Sequence, residues 1–152
     1  MQLCWSDDRL KAAVNIDGWI FDAAPGGWIE QPFMFISDDS PAATSADLSN
    51  RNPARRYHAI LDDMAARRMS DELAKHGGVA VTILGSDHLD FSDAAYLSRV
   101  ALLRGRRPDG AAIRIAADYS AAFFGQVLNG EASPLFSNPP PSVRLQIWKS
   151  PA

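Results

Sequence analysis

The stretch AAVNIDGWIF, residues 12–21, decides the fold class that this sequence predicts. A short apolar run ends there at a single carboxylate, Asp17, which is followed by Gly18 and three large apolar residues. A run that is apolar almost throughout is typical of a strand covered on both faces of a parallel sheet. Catalytic groups and ligands of such sheets gather outside the carboxyl ends of the strands. Asp17 is therefore a candidate site residue.

A second apolar run, residues 79–84, leads to the best partner for Asp17. His88 closely follows that run, so the pattern predicts an acid and a base at two strand ends. A carboxylate that accepts a hydrogen bond from one imidazole nitrogen fixes the tautomer, and it stabilises the imidazolium formed when the other nitrogen takes a proton. Asp17 and His88 thus have the residue types of an orienting acid and a general base, two members of a catalytic triad.

The pattern between these residues predicts a βαβ unit. A second buried strand is expected at residues 32–36, an exposed loop at 37–53, a helix from about Ala54, and a second helical piece at 70–76. Apolar or long side chains recur at helical spacing and predict one buried stripe. The stripe consists of Tyr57, Ile60, Leu61, Met64 and Arg68. A strand, a helix and a strand in succession indicate parallel pairing.

The flanking segments complete a single domain over residues 1–152. Residues 1–11 resemble the last turns of a helix, and 91–103 are expected to be helical. A further helix is predicted from an Asp109 cap to Gly130, with an apolar face of Ala116, Tyr119, Phe123, Val127 and Leu128. Within a tail at 137–152, the alternation at 143–148 suits a half-exposed edge strand. The predicted class is α/β, a mostly parallel sheet flanked by helices.

Charge and composition exclude several classes of function. The net charge is −3 with no block of like charges, so we expect no nucleic-acid binding. The single cysteine, Cys4, excludes an internal disulfide and a cysteine zinc cluster. The apolar runs are far shorter than the roughly 20 residues that a membrane span needs. The first residues lack the pattern of a secretory signal, and the compartment stays open.

Other residues compete for roles in a site. Asp38 and Asp39 follow the second predicted strand, and topology alone favours either of them as much as Asp17. Asp87, Asp90 and Asp93 surround His88 and supply carboxylates to a possible metal site. A single histidine among carboxylates is a poor set of metal ligands, and acids in such loops commonly cap helices. We therefore expect no metal at these residues.

The sequence pattern around the candidate nucleophiles and pocket residues is less specific than the pattern around Asp17 and His88. Ser86 is two residues from His88 but lies on the same strand end, and Ser37 and Cys4 have no sequence context that would activate them. None of the glycines begins a G-x-S-x-G elbow, the turn that carries the serine nucleophile of α/β hydrolases. Three aromatic residues could line an acyl or lipid pocket, or pack beneath the sheet edge. They are Trp19, Phe21 and Trp28.

At these motifs the chain resembles the C-terminal half of the platelet-activating factor acetylhydrolase family, serine esterases of the α/β-hydrolase fold. The similar pieces are RLKAAVNIDGW at residues 9–19, QPFMFI at 31–36 and GSDHLDFSD at 85–93. With the helix at 119–128, the likeness covers most of residues 3–136. The resemblance implies hydrolysis of short-chain acyl esters, including those of lipids, without a cofactor.

The same resemblance implies roles for particular residues. The family's triad acid matches Asp17, which favours it over Asp38, and its base matches His88. The family's serine elbow lies about twenty residues before the acid, a position before Met1, so the nucleophile and the oxyanion-hole groups are expected outside residues 1–152. The chain would then be a partial hydrolase domain, inactive alone.

Two further expectations follow from a partial domain. An unpaired sheet edge would favour self-association. Alternatively, the chain could be a noncatalytic binding or regulatory remnant that pairs with another hydrolase subunit.

Overall fold

The computed structural model describes residues 7–18, 28–92 and 110–149. These ranges contain a four-stranded sheet in the order β1-β2-β3-β4. Its strands are β1 (Ala13–Ile16), β2 (Phe33–Ser37), β3 (Gly78–Ile83) and β4 (Val143–Trp148). The first three strands are parallel, and β4 pairs antiparallel with β3 at the edge. The predictions of a mostly parallel α/β sheet and of an edge strand at 143–148 are confirmed.

The helices of the described ranges are α1 (Ser45–Leu48), α2 (Pro53–His76), a 3-10 helix (His88–Phe91), α3 (Ala111–Asn129) and α4 (Pro134–Ser137). In these ranges, we find no helix that is both long enough and apolar enough to cross a membrane.

Helices cover both faces of the sheet because successive strand residues point to opposite sides. On one face, Met34 and Ile36 pack in a core with Tyr119 and Phe123 of α3. On the other face, Phe33 packs with Leu73 of α2 and with neighbouring apolar residues. The fold therefore has three layers, and the carboxyl ends of β1, β2 and β3 all open at the same edge.

Helix α2 corrects two predictions. It is one continuous helix of 24 residues rather than two pieces. The predicted stripe is also wrong, since Tyr57 and Met64 are each 61% exposed, whereas Ala59, Met69 and Leu73 are buried. A helix of this length extends about 36 Å, while a strand of five or six residues spans only about 17–20 Å. Only the C-terminal part of α2 can therefore cover the sheet.

Helix α3 agrees better with its predicted pattern. Ala116, Tyr119 and Phe123 are buried, but Leu128 is exposed near the end of the helix. Gly130 ends the helix in a left-handed conformation at φ 72°, as predicted. Asp109 and most of the helix expected at 91–103 lie outside the described residues.

Two short segments differ from expectation. Residues 7–10 form a turn, closed by the Leu10 N–H on the Asp7 carbonyl, and not a helix. The expected loop at 37–53 contains α1, which begins with a reciprocal capping box between Thr44 and Asp47. The hydrogen bonds from Thr44 lower the pKa of the Asp47 carboxyl. Such a box satisfies backbone donors of the first turn, which explains why so short a helix forms.

Candidate active site

Asp17 and His88 meet at the carboxyl edge of the parallel strands. Asp17 directly follows β1, and His88 begins the 3-10 helix after β3. The Nδ1 atom of His88 lies 2.6 Å from Oδ2 of Asp17. A carboxylate only accepts hydrogen bonds, so this contact requires the proton on Nδ1 and leaves Nε2 as the acceptor. The Asp17–His88 pair has the arrangement of an orienting acid and a general base.

The main chain orients the Asp17 carboxylate. Asp17 has a φ of 50°, in the left-handed region that Asp adopts more readily than most other non-glycine residues. Its N–H still donates to the Ile36 carbonyl at 2.7 Å, which keeps it attached to the end of β2. The Asp38 N–H donates to the second carboxylate oxygen, Oδ1, at 3.2 Å. One oxygen of Asp17 is thus held by the β2 end while the other faces His88.

Asn15 braces the same turn from within β1. Its Oδ1 accepts the Gly18 N–H at 2.8 Å, and its Nδ2 donates to the Gly18 carbonyl at 3.1 Å. A Cβ on Gly18 would lie 2.6 Å from Asn15 Oδ1, so a larger residue at position 18 would displace the Asn15 side chain. Sequence reasoning missed Asn15. The signal was available, because Asn side chains commonly bond to nearby main-chain groups in turns.

Capping hydrogen bonds position His88. Asp87 precedes the 3-10 helix, and its carboxylate accepts the Leu89 N–H at 3.0 Å. The Asp90 carboxylate accepts the Asp87 N–H at 2.9 Å, which completes a capping box. These acids therefore act as caps, as their place in a loop predicted.

Exposure differs sharply within the Asp17–His88 pair. The Asp17 side chain is 11% exposed and the His88 side chain 71% exposed. An ion pair or hydrogen bond on a sheltered carboxylate is less screened by water than one at the open surface. The imidazole of His88 is therefore accessible from solvent, whereas the carboxylate that it contacts is sheltered.

The rival acids Asp38 and Asp39 have other partners. The Asp38 carboxylate accepts hydrogen bonds from the N–H and the hydroxyl of Ser40. Asp39 accepts the Gly85 N–H at 3.1 Å and pairs with Arg144 at 3.5 Å. Asp17 is thus the acid that contacts His88, and Asp39 instead links the loop after β2 with the loop after β3.

The hydroxyls of the candidate nucleophiles Ser86 and Ser37 donate hydrogen bonds to groups other than His88. The Ser86 hydroxyl donates to the Ile83 carbonyl at 2.8 Å, and the Ser37 hydroxyl donates to the Thr82 hydroxyl at 3.2 Å. Cys4 lies outside the described residues. Among residues 7–18, 28–92 and 110–149, no hydrogen bond reaches Nε2 of His88.

The acids near His88 do not form a metal site within the part of the chain that the structure describes. No group of three or more His, Cys, Asp or Glu residues there has the arrangement needed to hold a metal ion. Asp93, the fourth residue of the weighed cluster, lies outside the described residues.

A cavity of about 400 Å³ lies at the other edge of the sheet, where β2 and β3 begin. Trp28 lines this cavity but is itself buried. Its ring is edge-on to Phe33, with 5.1 Å between the ring centroids, and stacked on His76, with 6.4 Å between the centroids. Trp28 therefore packs beneath the sheet, on the side away from Asp17 and His88. Trp19 and Phe21, the other aromatic residues expected in an acyl pocket, lie outside the described residues.

Comparison with known proteins identifies an esterase of similar fold. The solved structure of a ferulic acid esterase from Streptomyces cinnamoneus is similar over 97% of this chain, with 20% sequence identity and a TM-score of 0.58. The chain spans 42% of the length of that esterase structure. No protein-family model matches the chain, and no curated protein matches it. The mixed α/β architecture and this neighbour are consistent with an α/β-hydrolase-like fold.

Proposed function

We propose that this chain carries the acid–base part of a carboxylic-ester hydrolase site. His88 is the general base, and Asp17 orients it and stabilises its imidazolium form. The observation that carries the proposal is the 2.6 Å contact between His88 Nδ1 and Asp17 Oδ2 at the carboxyl edge of the parallel strands. The likeness to an esterase structure supports the class of reaction.

In the proposed reaction, a serine hydroxyl attacks the ester carbonyl while Nε2 of His88 accepts its proton. The tetrahedral intermediate then expels the alcohol, which takes that proton from His88, and leaves an acyl-enzyme. Water hydrolyses the acyl-enzyme with His88 again acting as base. The resemblance to platelet-activating factor acetylhydrolases favours short-chain acyl esters, including lipid esters, as substrates.

The serine of this scheme is proposed to lie outside residues 1–152. The sequence has no G-x-S-x-G elbow, and the chain spans 42% of the esterase structure that it resembles. Reading the genomic frame upstream of Met1 tests this directly. The proposal expects an uninterrupted frame that encodes G-x-S-x-G about twenty residues before Asp17. A stop codon or a frameshift in that interval would contradict an intact parent esterase.

The longer product, if encoded, should hydrolyse p-nitrophenyl acetate. His88→Ala should reduce kcat by about 10⁶, which is the size of the effect of removing the catalytic histidine of subtilisin. The matched control is His58→Ala on α2, which should retain activity. The 152-residue chain alone should not exceed the uncatalysed rate. Turnover by the chain alone that disappears in His88→Ala would show that the nucleophile is within it, against the proposal.

A further inference from the structure

The contacts of Asp39 join the loop after β2 to the turn after β3 that leads to His88. Its N–H donates to the Ser86 carbonyl at 3.2 Å, and its Oδ2 accepts the Gly85 N–H at 3.1 Å. Its other oxygen, Oδ1, is 3.5 Å from Nη2 of Arg144 on β4. Asp39 therefore links the segments that follow β2 and β3 with a side chain of β4. The contacted turn after β3 leads directly to His88.

The preceding residue ties in the acid. The Asp38 N–H donates to Oδ1 of Asp17 at 3.2 Å. Residues 38 and 39 thus contact the Asp17 carboxylate on one side and the Gly85-Ser86 turn on the other. Asp17 and His88 are separated in the chain by two strands and a long helix. The distance between them therefore depends on how the loop after β2 is held against the turn after β3.

We propose that Asp39 is a positioning residue for the Asp17–His88 pair, acting through its hydrogen bond to the Gly85 N–H. Gly85 has a φ of 76° and a Cβ there would meet no atom within 4 Å, so side-chain packing at this residue does not fix its position. Main-chain bonds from the Asp39 N–H to Ser86 and from the Leu84 N–H to Ser142 also hold this segment, and the Asp39 carboxylate adds the bond that fixes the Gly85 N–H. Only Ser86 and Asp87 lie between Gly85 and His88, so a shift of Gly85 also shifts His88.

Nuclear magnetic resonance on the intact 152-residue chain tests the positioning without any assay of catalysis. A proton on Nδ1 held by a carboxylate gives a downfield resonance, and its nitrogen shifts report the tautomer. The chain contains three histidines, so His88→Gln identifies the signal. Asp39→Ala should abolish the downfield resonance, whereas Asp39→Asn, whose amide oxygen can still accept the Gly85 N–H, should retain it.

Arg144→Gln removes only the ion pair and should behave like Asp39→Asn. Asp63→Asn is the matched control, because it removes a partly exposed carboxylate that pairs with Arg67 at 2.8 Å on α2. A wild-type resonance in folded Asp39→Ala would overturn the proposal. So would its loss in Asp39→Asn. If Asp39→Ala does not fold, Asp39→Glu, which displaces the same carboxylate, provides the same comparison with the same two outcomes.

An activity measurement adds a second readout and rests on the proposed function. In the complete esterase, Asp39→Ala should lower kcat by roughly 10²-fold with KM nearly unchanged, the size of effect expected for a small misplacement of a catalytic group. Absence of turnover in every protein, the unmutated one included, would contradict the proposed esterase. It would leave the resonance test of Asp39 standing.

Discussion

The N–H of Asp38 donates to Oδ1 of Asp17 at 3.2 Å, while Oδ2 of Asp17 lies 2.6 Å from Nδ1 of His88. The two oxygens of this carboxylate therefore have different partners, each of which donates a hydrogen bond. A group that replaces the carboxylate must accept a hydrogen bond from both donors, or one donor must lose its proton and become an acceptor.

Asp17→Asn should reverse the tautomer of His88. The Asp38 N–H selects the amide oxygen, so the amide NH₂ faces Nδ1 and the imidazole proton moves to Nε2. In the complete enzyme, kcat should fall by about 10⁴, as in the corresponding substitution of serine proteases. Nitrogen chemical shifts of His88 in the chain measure the tautomer. A proton still on Nδ1 in Asp17→Asn would contradict this geometry.

The hydrogen bonds of Asn15 should contribute measurably to stability. Asn15→Ala removes both bonds to Gly18 and should lower the free energy of unfolding by about 1–3 kcal/mol. Asn15→Asp keeps the acceptor for the Gly18 N–H but turns a carboxylate oxygen toward the Gly18 carbonyl, so it should not restore stability. Urea unfolding measures both. Asn129→Ala, which removes one exposed contact to Glu131, should change stability by under about 0.5 kcal/mol.

Two methionines of α2 test which face of the helix is buried. Met69 is 5% exposed and Met64 is 61% exposed on the same helix. Met69→Ala should destabilise the protein by about 2–5 kcal/mol, because it leaves a cavity in the core. Met64→Ala should change stability by less than about 0.5 kcal/mol. Chemical denaturation of the two variants gives the comparison, and equal losses would contradict the observed burial.

Tyr119 should make stability fall at high pH. Burial raises the pKa of its phenol above the ordinary value of about 10. The folded state therefore holds this proton more tightly. The resulting stabilisation is complete below pH about 10 and is lost as the pH rises through the folded pKa.

Tyr119→Phe removes that ionisation and the hydrogen bond to the Leu135 carbonyl at 3.1 Å. Its free energy of unfolding should be about 1 kcal/mol lower at neutral pH, but it should decline less above pH about 10. Urea unfolding across this pH range measures the difference. Tyr57→Phe, at an exposed position, is the control and should follow the wild-type curve. A Tyr119→Phe profile parallel to the wild type would contradict the prediction.

The outer edge of β1 should mediate self-association. Within the described residues β1 pairs with β2 alone, and the N–H groups of Ala13 and Asp17 point toward β2. The main-chain groups of the alternate residues Val14 and Ile16 then face the other side, where a second copy could add a strand.

Ile16→Lys places a charge on that edge at a side chain that is 47% exposed. It should shift the chain toward the monomer in sedimentation experiments, because edge lysines oppose strand addition. Ile147→Lys makes the same change on β4, the opposite edge strand, and should have little effect. Equal effects of both substitutions would contradict association through β1.

Local pattern was a good guide to the elements and a poor guide to the faces of α2. Apolar runs located the strands because burial on both sides leaves few polar positions. The stripe from Tyr57 to Arg68 has true helical spacing, yet Tyr57, Ile60 and Met64 are exposed. Spacing reports which residues share a face of a helix, but the extent of the neighbouring sheet decides how much of that face is covered.

Sequence pattern alone predicted a mostly parallel α/β sheet, the caps at Gly77 and Gly130, and the placement of Asp17 and His88 after strands. The folded structure shows that Asp17, and neither Asp38 nor Asp39, contacts His88. All three carboxylates follow strands that end at one edge, so topology treats them alike. The left-handed conformation of Asp17 and the hydrogen bonds of residues 38 and 39 separate them, because these contacts join residues that are distant in the chain.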